Sequence, residues 1–181
     1  MDVAPTAKDP VVVVVMGVSG SGKSLVGAAL AQAMGAEFAE GDSYHPPENI
    51  ARMASGQALR DQDRWGWLDA IANEIARTDR SRGALVVTCS ALKRAYRDRL
   101  RLASRHVLFV YLDVARDVAA ARVANRKGHF MPASLIDSQF ADLEPPAAEE
   151  GALTVDATLD AAGIGRLLVQ TLRDRLPVSP P

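Results

Sequence analysis

The sequence predicts a three-layer α/β/α sandwich around a parallel sheet, and three observations carry that expectation. The apolar runs "VVVVVMG", "ALVVTCS" and "HVLFVYLD" are continuous rather than alternating, as in strands covered on both faces. Helical patterns separate them, and strands alternating with helices build right-handed βαβ units. At 181 residues and 48% hydrophobic content, the chain can bury such a core within one domain, residues 1–181.

Each element follows in order. The Pro-rich or polar ends, about residues 1–9 and 177–181, are expected to fray. The first strand, Val11 to Met16, is far too short to span a bilayer, and the acidic and proline residues before it do not make a signal peptide, so a soluble, cytoplasmic protein is expected. "GKSLVGAALAQAM" reads as a helix, "EFAEGD" as a short second strand ending at Asp42, and Pro46-Pro47 as loop punctuation. "DRWGWLDAIANEIART" is a long helix whose Trp65, Trp67, Leu68 and Ile71 form a core-facing stripe. After the third strand come "ALKRAYRDRLRLA", the fourth strand, and "VARDVAAARVANR", which ends at Gly128. Residues 128–132 break the chain before "PASLIDSQFADL"; "LTVDAT" is the last strand and "LDAAGIGRLLVQTLRDRL" the last helix.

Charge excludes some functions. With 21 Lys and Arg against 22 Asp and Glu, the net charge of -1 offers no basic field for nucleic acid or an anionic membrane. Any anion site must be built locally. The single cysteine, Cys89, rules out an internal disulfide and a cysteine-rich zinc site, fits a reducing compartment, and reads as an ordinary buried thiol.

A local anion site is plain in "GVSGSGKS", residues 17–24, which fits G-x-x-x-x-G-K-[ST] between a buried strand and a helix. Here Gly17, Val18, Ser19, Gly20, Ser21 and Gly22 curl the backbone so that N–H groups point inward, and the helix N-terminus adds its positive dipole end. Lys23 is expected to reach the β- and γ-phosphates of a nucleotide, and Ser24 to ligate Mg²⁺. A magnesium carboxylate is harder to place, because the strand expected beside the first one ends in Thr88, Cys89 and Ser90. Asp113, before "VARDVAAAR", reads as a cap or turn residue. Asp42 ends the second strand and should lie near the γ-phosphate, since open parallel sheets place sites at strand carboxyl ends.

The segment "GDSYHPPENIARMASGQALRDQDRW", with "CSALKRAYRDRLR" and "RKGHF", completes a constellation that resembles the bacterial-type gluconokinases, P-loop kinases that phosphorylate D-gluconate to 6-phosphogluconate. The likeness runs from about Val11 to Asp156. The family's acceptor motif falls on Gly41, Asp42, His45, Pro46, Asn49, Ile50, Met53, Gly56, Leu59, Asp61, Asp63, Arg64, Trp67 and Leu68. Two departures are Gly66, where proline is usual and which should alter how the following helix begins, and Arg60, which adds a positive charge.

The resemblance implies a five-stranded sheet of order 2-3-1-4-5, an acceptor region at about 41–80, a small helical lid at about 122–140, and a homodimer. It also implies Mg²⁺ with ATP as co-substrate, and a place in gluconate catabolism feeding the pentose phosphate route. Gluconate is a polyol with one carboxylate, so its pocket needs cations and mixed hydrogen-bonding groups. Arg52, Arg64, His45, Asp63 and Lys93 supply them, while Asp42 orients or deprotonates the acceptor hydroxyl and touches Mg²⁺ through water. In the lid, Arg122 and Arg126 stand four apart on one helical face and stabilise transferred charge, with Lys127 or His129 near donor or acceptor. Asp61 and Asp63 also suit capping of the helix that begins near Arg64, Asp61 above all.

Other classes fit less well. A regulatory GTPase would need an N-K-x-D base-reading motif, which is missing from the sequence. A non-enzymatic nucleotide-binding subunit would not need Asp42, His45 and Arg64 together. Shikimate kinase and nucleotide monophosphate kinases are the nearest enzymatic alternatives, and only the longer acceptor motif separates shikimate from gluconate.

Overall fold

A computed structural model describes residues 9–126 and 132–175. Five strands, β1 (Val11–Met16), β2 (Glu37–Ala39), β3 (Ala84–Thr88), β4 (Val107–Asp113) and β5 (Leu153–Asp156), form one sheet in the order β2-β3-β1-β4-β5. All the pairings are parallel, as the continuous apolar runs predict, and the order is the one expected from the resemblance. Strand β1 is central, with Val15 in register with Thr88 on one side and Val110 on the other.

The helices are α1 (Lys23–Met34), α2 (Pro47–Ala54), α3 (Asp61–Ser81), α4 (Arg94–Arg101), α5 (Arg116–Ala124), α6 (Ile136–Asp142) and α7 (Ala161–Arg175). Successive side chains of a strand point to opposite faces, so β1 serves two cores. Val13 and Val15 join Leu30 of α1 and Ile164, Leu168 and Leu172 of α7. Val12, Val14 and Met16 join Trp67, Leu68 and Ile71 of α3 and Tyr96 and Leu100 of α4. This two-sided burial explains why the β1 sequence shows no alternation.

Four local expectations are corrected. Pro46-Pro47 does not mark a loop, because Pro47 opens α2, where a missing N–H costs nothing. Asp42 does not end β2; that strand stops at Ala39, and Gly41–Tyr44 forms a 3₁₀ turn. Helix α3 begins at Asp61, so Gly66 lies inside it rather than at its start. Helix α5 ends at Ala124, which leaves Arg126 beyond the helix instead of on one face with Arg122.

A buried ion pair ties the segment before β5 to α4. Arg97 Nε donates to Glu150 Oε2 at 2.7 Å, and both side chains are almost fully buried. That hydrogen bond, with further help from Arg101, holds the Glu150 carboxyl down at about 2.

Candidate active site

The chain leaves β1 through a glycine-rich loop in which Gly17, Gly20 and Gly22 take positive φ. At Gly20 this freedom is combined with close approach, since a Cβ there would stand 2.5 Å from the Ala119 carbonyl oxygen of α5. Lys23, the first residue of α1, folds back so that its Nζ donates to the Val18 carbonyl at 2.9 Å. Burial pulls the Lys23 ammonium below its usual range, and the nearby Asp42 and Glu40 carboxylates oppose that pull.

The loop borders a cavity of about 570 Å³. Ser19 through Ser24, Glu40, Asp42, Arg122 and Arg126 line one part, and Ala157, Thr158, Leu159, Asp160, Ala161 and Ile164 line the rest. Gly17 and Val18 stand behind this wall: Gly17 N–H donates to the Ser90 carbonyl at 3.3 Å, and Val18 is buried. Arg122 staples the two parts, donating from Nη1 to the Gly20 carbonyl at 3.2 Å and from Nη2 to the Ala157 carbonyl at 2.9 Å. Lys127 and His129 lie outside the described residues.

Asp42 is placed by its neighbour. Gly41 N–H donates to Thr88 Oγ1 at 3.0 Å, and a Cβ on Gly41 would fall 1.7 Å from the Thr88 carbonyl oxygen, so only glycine fits. The Thr88 hydroxyl in turn donates to Glu40. On its other side the Gly41 carbonyl accepts from Trp67 Nε1 at 2.8 Å. Trp67 is therefore more than the packing residue the sequence suggests. Its indole stacks on His45, with ring centroids 4.1 Å apart. Burial, aided by the Arg64 charge, pushes His45 down to about 4, which keeps the ring neutral near neutral pH.

A second, narrow cavity of about 30 Å³ adjoins the first. Ser19, Lys23 and Asp42 line both. The narrow one is completed by His45, Met53, Ala58, Leu59, Arg64, Ser90, Leu135, Ser138 and Gln139. Gln139, missed at the sequence level, accepts from Ser19 N–H at 2.7 Å and so ties α6 to the phosphate loop. The loop from Ala157 to Ala161 was missed too, although its position after a strand's carboxyl end is a usable signal.

Of the acceptor residues expected from sequence, Asp42, His45 and Arg64 come together in this cavity, whereas Arg52, Asp63 and Lys93 do not line it. Asp63 accepts from the Arg60 N–H at 3.0 Å and caps α3. Asp61, expected to be the cap, instead accepts from Lys93 Nζ at 2.8 Å and from the Tyr96 hydroxyl at 2.5 Å. Asp113 caps no helix, since Ala115 precedes α5; its carboxylate accepts from the Tyr111 hydroxyl at 3.2 Å. Cys89 is buried and its thiol is pushed up to about 12 by desolvation, which leaves it without nucleophilic character.

Known proteins resemble this chain over most of its length. A family model described as an AAA domain matches residues 12–146. A protein named gluconokinase from Gluconobacter oxydans is 44% identical over 146 residues, 81% of this chain and 82% of that one. The crystal structure of a gluconokinase from Sinorhizobium meliloti superposes with a TM-score of 0.79 at 46% identity, covering 93% of this chain and 98% of that one. An unliganded sugar kinase from a Janibacter species reaches a TM-score of 0.86 at 42% identity, covering 91% and 95% of the two chains.

Proposed function

The chain belongs to the gluconokinase family, and on that premise we propose how its residues divide the work of moving a phosphoryl group from ATP to D-gluconate. The reaction is ATP-dependent phosphorylation of D-gluconate to 6-phosphogluconate, which feeds the pentose phosphate route. One observation supports the division of labour above the rest: Ser19, Lys23 and Asp42 line both cavities, so donor and acceptor would meet across them.

ATP lies in the larger cavity, with its phosphates on the loop N–H groups and Lys23 and its nucleoside against the segment from Ala157 to Ile164. Gluconate enters beside His45 and Arg64, its carboxylate on the guanidinium and its terminal hydroxyl toward Asp42. Asp42 orients that hydroxyl and accepts its proton as the oxygen attacks phosphorus in line. Arg122 and Arg126 offset the charge on the transferred group, and exclusion of water by the lid, residues 122–140, suppresses hydrolysis. Arg52 and Asp63, within the acceptor region, residues 41–80, and Lys93 beyond it are assigned to gluconate at the margin of the cavity; His129, outside the described residues, is assigned to the substrate.

Mg²⁺ suits this donor set, because Ser24, Glu40 and Asp42 bring hard oxygen atoms to the nucleotide cavity. Ser24 would hold the ion directly and Asp42 through water, and the ion would neutralise charge on the β- and γ-phosphates. We place the enzyme in the cytoplasm, as one domain that assembles into homodimers. No helix among the described residues is long and apolar enough to cross a membrane.

The test is ADP release from Mg-ATP with D-gluconate, shikimate and a nucleoside monophosphate panel, each against a control without acceptor, with GTP as an alternative donor. Release with gluconate, with 6-phosphogluconate as product, is the expected outcome. Acceptor-independent hydrolysis alone would refute the assignment of the 41–65 segment.

A further inference from the structure

The basic groups beside the acceptor cavity already carry their own counter-charge. Asp142, the last residue of α6, accepts from Arg64 Nη2 at 3.3 Å and lies 3.6 Å from Lys93 Nζ. Lys93 also pairs with Asp61 at 2.8 Å, so two cations face two carboxylates and the cluster is neutral. A substrate carboxylate arriving at Arg64 would therefore make the group net negative. Gln139, one helical turn before Asp142, is anchored on Ser19, which fixes α6 where Asp142 can reach Arg64.

Two further observations bear on this seat. The adjoining cavity of about 30 Å³ has room for water and not for a six-carbon acid. Arg64 is only 7% exposed, yet its Nε–H has no hydrogen-bond partner among the described residues. A buried charged donor left without an acceptor is unfavourable, and a carboxylate gripping the guanidinium at two nitrogens would satisfy it. Asp142, at 3.3 Å from Nη2, does not.

We propose that Asp142 is a specificity-determining residue that stands in for the substrate's carboxylate: it holds Arg64 and Lys93 until gluconate arrives, and gluconate takes Arg64 by displacing it. This rests on the assignment of Arg64 to the acid end of the acceptor. The competition sets the apparent affinity for the acid. Asp142 lines neither cavity, and its ion-pair partners are Arg64 and Lys93 rather than Lys23, Asp42 or Arg122, the groups assigned to transfer. A neutral polyol of the same length makes no claim on Arg64 and is indifferent to Asp142.

The experiment measures KM for D-gluconate, KM for ATP, kcat, and inhibition by D-glucitol in the wild-type enzyme, Asp142→Asn, Asp142→Ser and Arg64→Gln. Asp142→Asn is expected to lower the gluconate KM roughly two- to fivefold, the scale of one partly exposed charge pair, with the effect confined to that constant. An unchanged or raised gluconate KM in both Asp142 variants overturns the proposal. So does an equal tightening of D-glucitol, which would indicate a loosened α6 rather than a freed charge. Arg64→Gln separates the two levels of inference: it must raise the gluconate KM, and if it does not, the acid-end assignment itself has failed and this proposal with it.

Discussion

Trp67 and His45 stack with their ring planes 15° apart, while the same indole donates its N–H to the Gly41 carbonyl at 2.8 Å. One side chain of α3 thus holds both ends of the turn that carries Asp42. Trp67→Phe keeps an aromatic surface for His45 but removes the donor, leaving a buried carbonyl unpaired. A stability loss of about 1–2 kcal/mol is expected. Gluconate turnover should fall while ATP affinity stays close to wild type, as denaturant melts and steady-state kinetics would show.

His45 gives the fold an acid-sensitive limb. Its folded value of about 4 lies below the ordinary imidazole value of 6.5, so the unfolded chain binds the extra proton first as pH falls. The stability due to neutral His45 is fully present above 6.5 and is lost progressively between 6.5 and 4. The largest possible loss is about 3 kcal/mol. Urea midpoints measured across this window should fall less steeply for His45→Gln than for the wild type; parallel slopes would remove His45 as the cause.

Asp42→Asn should retain nucleotide binding while cutting kcat by about 10²- to 10⁴-fold, the usual contribution of a positioned general base. Full activity would rule out Asp42 as the proton acceptor. Lys23→Ala should weaken ATP binding and transfer together, because the lysine is assigned to phosphates in ground state and transition state alike. Unchanged kinetics in that variant would remove Lys23 from the cradle.

Gly66 is exposed within α3, and a Cβ added there meets nothing within 4 Å. Gly66→Ala should stabilise the protein by about 0.5–1 kcal/mol through helix propensity alone. Gluconate kinetics are expected to remain unchanged. A fall in melting temperature would mean that flexibility at this point of α3 is needed by the fold.

Much of this protein was legible in order along the chain. The valine-rich β1 reads as a strand buried on both faces, and "GVSGSGKS", running from it into the first residues of α1, specified a phosphate cradle, because loop conformation, lysine and helix N-terminus all follow from contiguous residues. Resemblance in the acceptor motif supplied the family. The 3₁₀ turn at Asp42 was not legible, since three polar residues after a short edge strand carry no periodic signal. Nor was the early end of α5, where "VANR" retains helix-forming residues past Ala124.

Tertiary structure decided the pairings. Gln139 meets Ser19 across 120 positions of sequence, Arg64 meets Asp142 across 78, and Thr88 meets Glu40 across 48. Sequence determined which segments are strands and which loop is built for phosphate; of the residues it assigned to the acceptor, Asp42, His45 and Arg64 share a cavity and Arg52, Asp63 and Lys93 do not. It could not determine which cation faces which carboxylate, because periodicity reports only local geometry, while a side chain's charge partner depends on how distant elements are brought together by the packed sheet.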